Sequence, residues 1–307
     1  MRRWRGGRGG TALSLAHPLP TAEIADNHDM SRPQPGERSA PRDIVELRAL
    51  ARRQPDLAAA ATLHAELAAT VRRVGSRLTT PSLDIPIELL QARLARRVPL
   101  ASFGEFPIDW SEARLLVRQV TDSLHRIDVV DRESAARLHA AGRDASLPER
   151  ARAWYEAGAA EAADASEDPD PMWGEVLGWA LKPFLMRTAE VLTRRVSLDA
   201  WRHGRCPVCA AEPELGAILA AGEVTLLCSR CLARWPFDGG CAYCEQAVAT
   251  EIDTMTTADR TYRVHRCRRC DRYVKLLDTQ AAGRPLLPFF DPVASLPLDA
   301  ALMQGRG

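Results

Sequence analysis

This chain has no cysteine before residue 206, and it has no run of about 18 uncharged apolar residues, the length a bilayer-spanning helix needs. Its most apolar stretch, Val176 to Leu192, is interrupted by Lys182, Arg187 and Glu190, so no transmembrane helix and no membrane insertion are expected. It also lacks an excess of either charge. With 41 basic and 40 acidic residues the net charge is +1, which excludes global electrostatic recruitment to nucleic acid or anionic lipid and leaves only local patches for that purpose. No Ser-His-Asp arrangement, glycine-rich phosphate loop or His-Glu-x-x-His helix is present, which argues against an ordinary enzyme. The arginine- and glycine-rich start, Met1 to Gly10, is not followed by a sustained apolar segment, because His17, Pro18 and Pro20 interrupt what comes next. Residues 1–41, with the proline-rich SRPQPGERSAP, are expected to be a disordered leader, and the chain is assigned to the cytoplasm.

What is present divides in two. Residues 42–204 are rich in alanine, leucine and arginine, with apolar positions at helical spacing, and are predicted to form an all-helical domain. Asp43 is placed as a helix cap, and Gly75 as the stop of a second helix that begins after Pro55. Further helices are predicted at Leu89 to Leu94, from Trp110 with the stripe Leu116, Val120 and Leu124, at Arg132 to Ala141, and at Pro148 to Ala163. The acidic SEDPDP at 166–171 reads as a turn before a long apolar helix over Trp173 to Val196, in which Pro183 predicts a kink or a break near Ala180 to Lys182. Trp110, Trp154, Trp179, Phe184 and Leu185 are read as packing residues.

All eight cysteines lie in the last third as four C-x-x-C pairs: Cys206 with Cys209, Cys228 with Cys231, Cys241 with Cys244, and Cys267 with Cys270. Paired cysteines in a reducing compartment are more often metal ligands than disulfides. The intervals between pairs are 18 residues (210–227), 9 (232–240) and 22 (245–266). The outer two can each hold a short hairpin that returns the chain to a metal, so the first pair is matched with the second and the third with the fourth. The alternatives are a crossed pairing or metal-free redox dithiols. The runs Val224 to Leu227 and Thr261 to Val264 are strand candidates leading into metal turns. Two tandem rubredoxin-like or zinc-ribbon modules follow, 205–240 and 241–275, with a tail at 276–307 and an overall α+β class. A Cys₄ shell is closed, so it is structural first and leaves no position for hydrolytic chemistry; zinc and iron both accept it. His203 and His265 are surplus to two complete shells.

Around the fourth pair lie Arg260, Arg263, His265, Arg266, Arg268, Arg269, Arg272 and Lys275, either a docking surface or charges that offset the thiolates. A nucleic-acid-binding zinc ribbon is one alternative function, disfavoured because only Tyr262 and Tyr273 are near for stacking. A small rubredoxin-like electron carrier is another.

The run from Trp201 through Cys206-Pro-Val-Cys209, then Leu226-Leu-Cys-Ser-Arg-Cys231 with Trp235, the third pair, Cys267-Arg-Arg-Cys-Asp-Arg-Tyr-Val-Lys275 and the tail Asp291-Pro-Val-Ala-Ser-Leu-Pro-Leu-Asp299 resemble the formate dehydrogenase accessory protein family FdhE over about residues 173–303. The resemblance implies a helical domain joined to two rubredoxin-like modules. It also implies a cytoplasmic role in maturing formate dehydrogenase through binding its catalytic subunit, with iron favoured at the eight cysteines. Metal turns of this kind favour glycine after the second cysteine, where the backbone tends to be left-handed. Ala210, Leu232, Glu245 and Asp271 stand there instead, so a different knuckle geometry is expected.

Overall fold

The computed structural model describes residues 41–161 and 170–304, and of residues 158–161 only the backbone. The leader (1–40) and most of the acidic turn (166–169) lie outside the described residues. Among the described residues seven α-helices come first: α1 (Arg42–Arg53), α2 (Ala58–Arg77), α3 (Ile87–Ala95), α4 (Trp110–Arg126), α5 (Arg132–Arg143), α6 (Leu147–Glu161) and α7 (Trp173–Arg195). Six strands follow, β1 (Pro213–Ile218), β2 (Val224–Cys228), β3 (Arg234–Phe237), β4 (Ile252–Thr256), β5 (Tyr262–Cys267) and β6 (Tyr273–Asp278), and then α8 (Asp291–Ala294) and α9 (Leu296–Gln304).

Three helix expectations change. Asp43 does not cap α1; it sits one residue inside it, buried, where its carboxylate pairs with Arg72 of α2 at 2.5 Å. Gly75 does not stop α2, which continues to Arg77 because its outward position requires no special backbone angle. Pro183 does not divide α7. The helix runs unbroken from Trp173 to Arg195 with Trp173, Leu177, Leu181, Phe184 and Leu185 all buried. Each such side chain contributes about 1.5–3 kcal/mol, which outweighs the missing donor at one proline. The stripe on α4 behaves as expected, with Leu116, Val120 and Leu124 buried, and Asp109 caps the helix by accepting from the Ser111 and Glu112 N–H groups at 2.9 and 3.1 Å.

The strands form one sheet in the order β3-β2-β1-β6-β5-β4. Within each half the pairing is antiparallel, β1–β2–β3 and β4–β5–β6, while the halves meet through a parallel pair, with Gly216 opposite Leu276 and Ile218 opposite Asp278. The halves therefore repeat one plan: a cysteine pair, a hairpin, a second cysteine pair, a third strand. The 18-residue interval holds the β1–β2 hairpin, and the 22-residue interval holds β4–β5. One hydrophobic cluster extends from α2, α4 and α7 to Cys206, Cys209, Cys228, Cys231 and Trp235. A second packs α1 and α2 against Phe289, Phe290 and Val293 of the C-terminal tail.

Candidate metal centres

The strand order brings the cysteines together as two groups, Cys206, Cys209, Cys228 and Cys231, and Cys241, Cys244, Cys267 and Cys270, with the sulfurs of each group all within 4.8 Å of one another. The first pair thus meets the second, and the third meets the fourth. In the first group the Cys206–Cys231, Cys209–Cys228 and Cys209–Cys231 sulfurs are 3.6, 3.4 and 3.6 Å apart. In the second, Cys241–Cys270 and Cys244–Cys267 are 3.5 and 3.9 Å apart. A disulfide has its sulfurs about 2.05 Å apart, whereas a tetrahedron of sulfurs about 2.3 Å from a metal has edges of about 3.8 Å. The spacing fits the second arrangement, and each group could hold one metal ion. Thiolate donors in this geometry suit zinc or iron, and bound metal would supply structural cross-linking or, as iron, one-electron chemistry.

The turns follow one local pattern. Backbone N–H groups donate to the first sulfur of each pair: Val208 to Cys206, Arg230 to Cys228 and Tyr243 to Cys241 at 3.4 Å, and Arg269 to Cys267 at 3.3 Å. The residue after each second cysteine is left-handed, with φ of 58° at Ala210, 56° at Leu232, 53° at Glu245 and 59° at Asp271. The absence of glycine therefore leaves the turn geometry unchanged. It imposes about 1–2 kcal/mol of strain at each position instead.

The surroundings of the two groups differ. Around the first, Leu100 and Ala101 donate their N–H groups to the carbonyls of Pro207 and Val208 at 2.8 and 3.0 Å. Lys182 of α7 donates from Nζ to the Ser229 carbonyl at 2.5 Å. Arg230 lies over the Trp154 ring, 4.1 Å from its centre, and donates to the Tyr155 and Trp154 carbonyls at 2.9 and 3.1 Å. The helical half thus grips both turns and supplies one buried cation, Lys182; the other, Arg230, belongs to the second turn itself and is buried against α6. Those cations suit a centre in which four thiolates outweigh a divalent ion. Burial pushes the Cys206 and Cys231 thiols well above their ordinary range. Keeping Cys206 and Cys231 ionised in so dry a place therefore requires a cation.

The second group has Cys241 and Cys267 buried but Cys244 and Cys270 half-exposed. Burial pushes Cys241 up to about 12, while the backbone N–H of Gln246 holds Cys244 down to about 7. Two contacts tie this group to the first. Arg272, two residues past Cys270, makes a bidentate pair with Glu212, three residues past Cys209, at 2.7 and 2.6 Å, and covers the Tyr243 ring at 3.8 Å. Glu245 accepts the Gly204 N–H at 2.7 Å, at a point where a Cβ on Gly204 would lie 1.8 Å from the Ala242 carbonyl oxygen. His203 and His265 belong to neither sulfur group; His203 lies 3.3 Å from Glu245.

The basic run is largely neutralised in place. Arg263 pairs with Asp278 at 2.6 Å, Arg266 with Asp271, Arg268 with Asp253 at 3.4 Å, and Lys275 with Asp299 at 2.6 Å. The tail is equally engaged. Asp291 is fully buried and accepts from Tyr262 Oη at 2.5 Å, from Arg284 at 2.9 and 2.6 Å and from the Leu287 N–H at 2.6 Å.

No family model matches the sequence, and no curated protein matches it. Among solved structures, the FdhE protein from Pseudomonas aeruginosa superposes on 86% of this chain and 90% of its own length with a TM-score of 0.60, at 20% sequence identity. This chain has the FdhE fold. The likeness spans the helical part as well as the sheet, although the motifs that suggested FdhE lie mostly in the sheet. Sequence reasoning missed Lys182, Glu212 and the Gly204 contact as supports of the sulfur groups. The one available signal was position, since Glu212 and Arg272 each follow a second cysteine closely.

Proposed function

We propose that this chain is an accessory protein of formate dehydrogenase, of the FdhE family, and that it works in the cytoplasm by binding the enzyme's catalytic subunit during maturation. In this reading Cys206, Cys209, Cys228 and Cys231 hold one metal ion and Cys241, Cys244, Cys267 and Cys270 a second, with iron favoured and zinc accepted. The observation that carries it is the pair of four-sulfur groups at metal-compatible spacing within an FdhE fold. Four thiolates close each shell, leaving no ligand position for substrate, so the chain acts by binding and not by catalysis. The helices enclose the first centre, and the second faces outward.

The test has two arms. Deletion of the gene should lower formate dehydrogenase activity, and tagged full-length chain should retain the catalytic subunit while oxidising no formate itself. Failure to retain the subunit together with unchanged activity in the deletion strain rejects the role. The half-exposed sulfurs of Cys244 and Cys270 support a second reading, a one-electron carrier. A reversible absorbance change on reduction, with electrons passed on to an acceptor protein, would favour it.

A further inference from the structure

We propose that the trough between α1, α2 and α4, remote in sequence from the metal centres, is a docking groove for an acidic helix of a partner protein. Two faces of α2 are occupied: Leu63, Leu67 and Val74 join the main core, and Ala61, Ala68 and Val71 join the core shared with α1. Its third face, Thr62, Glu66, Ala69 and Arg73 at intervals of three and four residues, forms the floor of a cavity of about 670 Å³. The walls are the C-terminal half of α1, with Arg48 and Arg52, and α4, with Asp122 and Arg126. The floor between them is built of small side chains, Ala51, Ala65 and Ala69, which permit the close approach that helix packing at about 8–10 Å requires.

The charge on this surface identifies the occupant. The trough carries arginines beside two carboxylates: Glu66 accepts from Arg126 at 2.5 Å, and Asp122 lies 3.0 Å from His139 Nε2. Among the described residues neither Arg48 nor Arg73 has a carboxylate partner; Arg73 reaches only the Thr70 hydroxyl at 3.5 Å. Arg48 and Arg73 therefore offer positive charge along a helix-lined channel, which complements an amphipathic helix with glutamates flanking a small-residue stripe. Nucleic acid fits less well, because among the described residues no aromatic side chain lines the trough for base stacking.

The probe is a labelled glutamate/alanine peptide of about four helical turns, titrated with the full-length chain by fluorescence anisotropy. It should bind saturably and more weakly as salt rises, while a lysine/alanine peptide of equal length does not bind. Arg48→Glu with Arg73→Glu should weaken it by roughly tenfold or more, and Ala69→Leu, which fills the floor without changing charge, should weaken it as well. Helical circular dichroism and metal content check that both variants remain folded. Arg269→Glu, far away beside the fourth cysteine pair, should leave binding unchanged. Equal affinity in the wild type and either groove variant overturns the proposal. So does an RNA oligonucleotide that binds and is lost on charge reversal while the acidic peptide does not bind. Because the probe is not formate dehydrogenase, the result is independent of the function proposed above.

Discussion

In the first four-sulfur group every cysteine is at most 2% exposed and lies in the same hydrophobic cluster as Trp173 and Leu177 of α7, whereas in the second Cys244 and Cys270 remain half-exposed and, among the described residues, no helix joins the cluster around them. The turns themselves match, with the same N–H to sulfur bonds and the same left-handed residue after the second cysteine. Identical local chemistry thus sits in two dielectric settings. In the first, sulfur, Lys182 and Arg230 are removed from water together, so loss of any one leaves a buried charge or an empty volume. In the second, solvent can reach two ligands and take over part of their hydrogen bonding. The first centre should behave as core and the second as a peripheral site.

The largest expected effect separates the two by ligand removal. Cys228→Ser should prevent stable folding or cost at least about 5 kcal/mol, since structural metal contributes roughly 10–16 kcal/mol and this ligand lies in the main core. Cys270→Ser should lose one metal equivalent while helical circular dichroism and the melting transition of the helices persist. Equal damage from both substitutions would erase the distinction between the centres.

The Glu212–Arg272 cross-link tests how far the two halves depend on each other. Arg272→Met leaves the buried Glu212 carboxylate with only Arg205, 3.9 Å away, and allowing for the partial exposure of the arginine we expect a loss of about 1–2 kcal/mol in chemical denaturation. The hydrogen bonds from Arg272 hold the Glu212 carboxyl below its ordinary value of 4.5. Its contribution is therefore complete above about pH 4.5 and is lost as the pH falls through the folded value. The wild-type melting temperature should decline in that acid range, and the Arg272→Met variant should decline less.

Metal release should be biphasic under a chelator in excess, with the second centre emptying roughly tenfold faster, equivalent to about 1.4 kcal/mol in barrier. Absorbance or elemental analysis over time, repeated on Cys270→Ser, assigns the fast phase. A single phase for the wild type would contradict the difference in enclosure.

The smallest effect concerns the strained turns. Ala210→Gly removes left-handed strain and loses only a methyl group, so with the entropy gained by the unfolded chain set against it, stability should rise by up to about 0.5–1 kcal/mol. Glu245→Gly relieves the same strain but loses the acceptor for the Gly204 N–H, so it should give no gain. Thermal melts of the two variants side by side make the comparison.

The division of the eight cysteines into two groups and the hairpin in each long interval were legible because a C-x-x-C turn is a local object: four residues set the sulfur positions, and interval length favours which turns can meet. The helices were legible for a similar reason, the periodic stripe seen on α4. Expectations that turned on a single residue fared worse. Asp43, Gly75 and Pro183 each carry a local preference worth at most a few kcal/mol, and long-range partners overrode it: Arg72 for Asp43, and the buried faces of α7 for Pro183. Which charges meet the basic run was open in the sequence, and only the fold brought Asp278, Asp253 and Asp299 to Arg263, Arg268 and Lys275.

The sequence by itself determined that the thiols come as four C-x-x-C pairs with hairpin-length intervals inside the first and second couples, and it favoured two four-sulfur groups over a crossed pairing. Tertiary structure alone decided that the two halves share one sheet through the β1–β6 parallel pair and that the first centre is enclosed while the second is half-open. The reason is that burial and charge compensation come from residues far along the chain, Leu100, Trp154 and Lys182 among them, and no local pattern around a cysteine records which of them will pack against it.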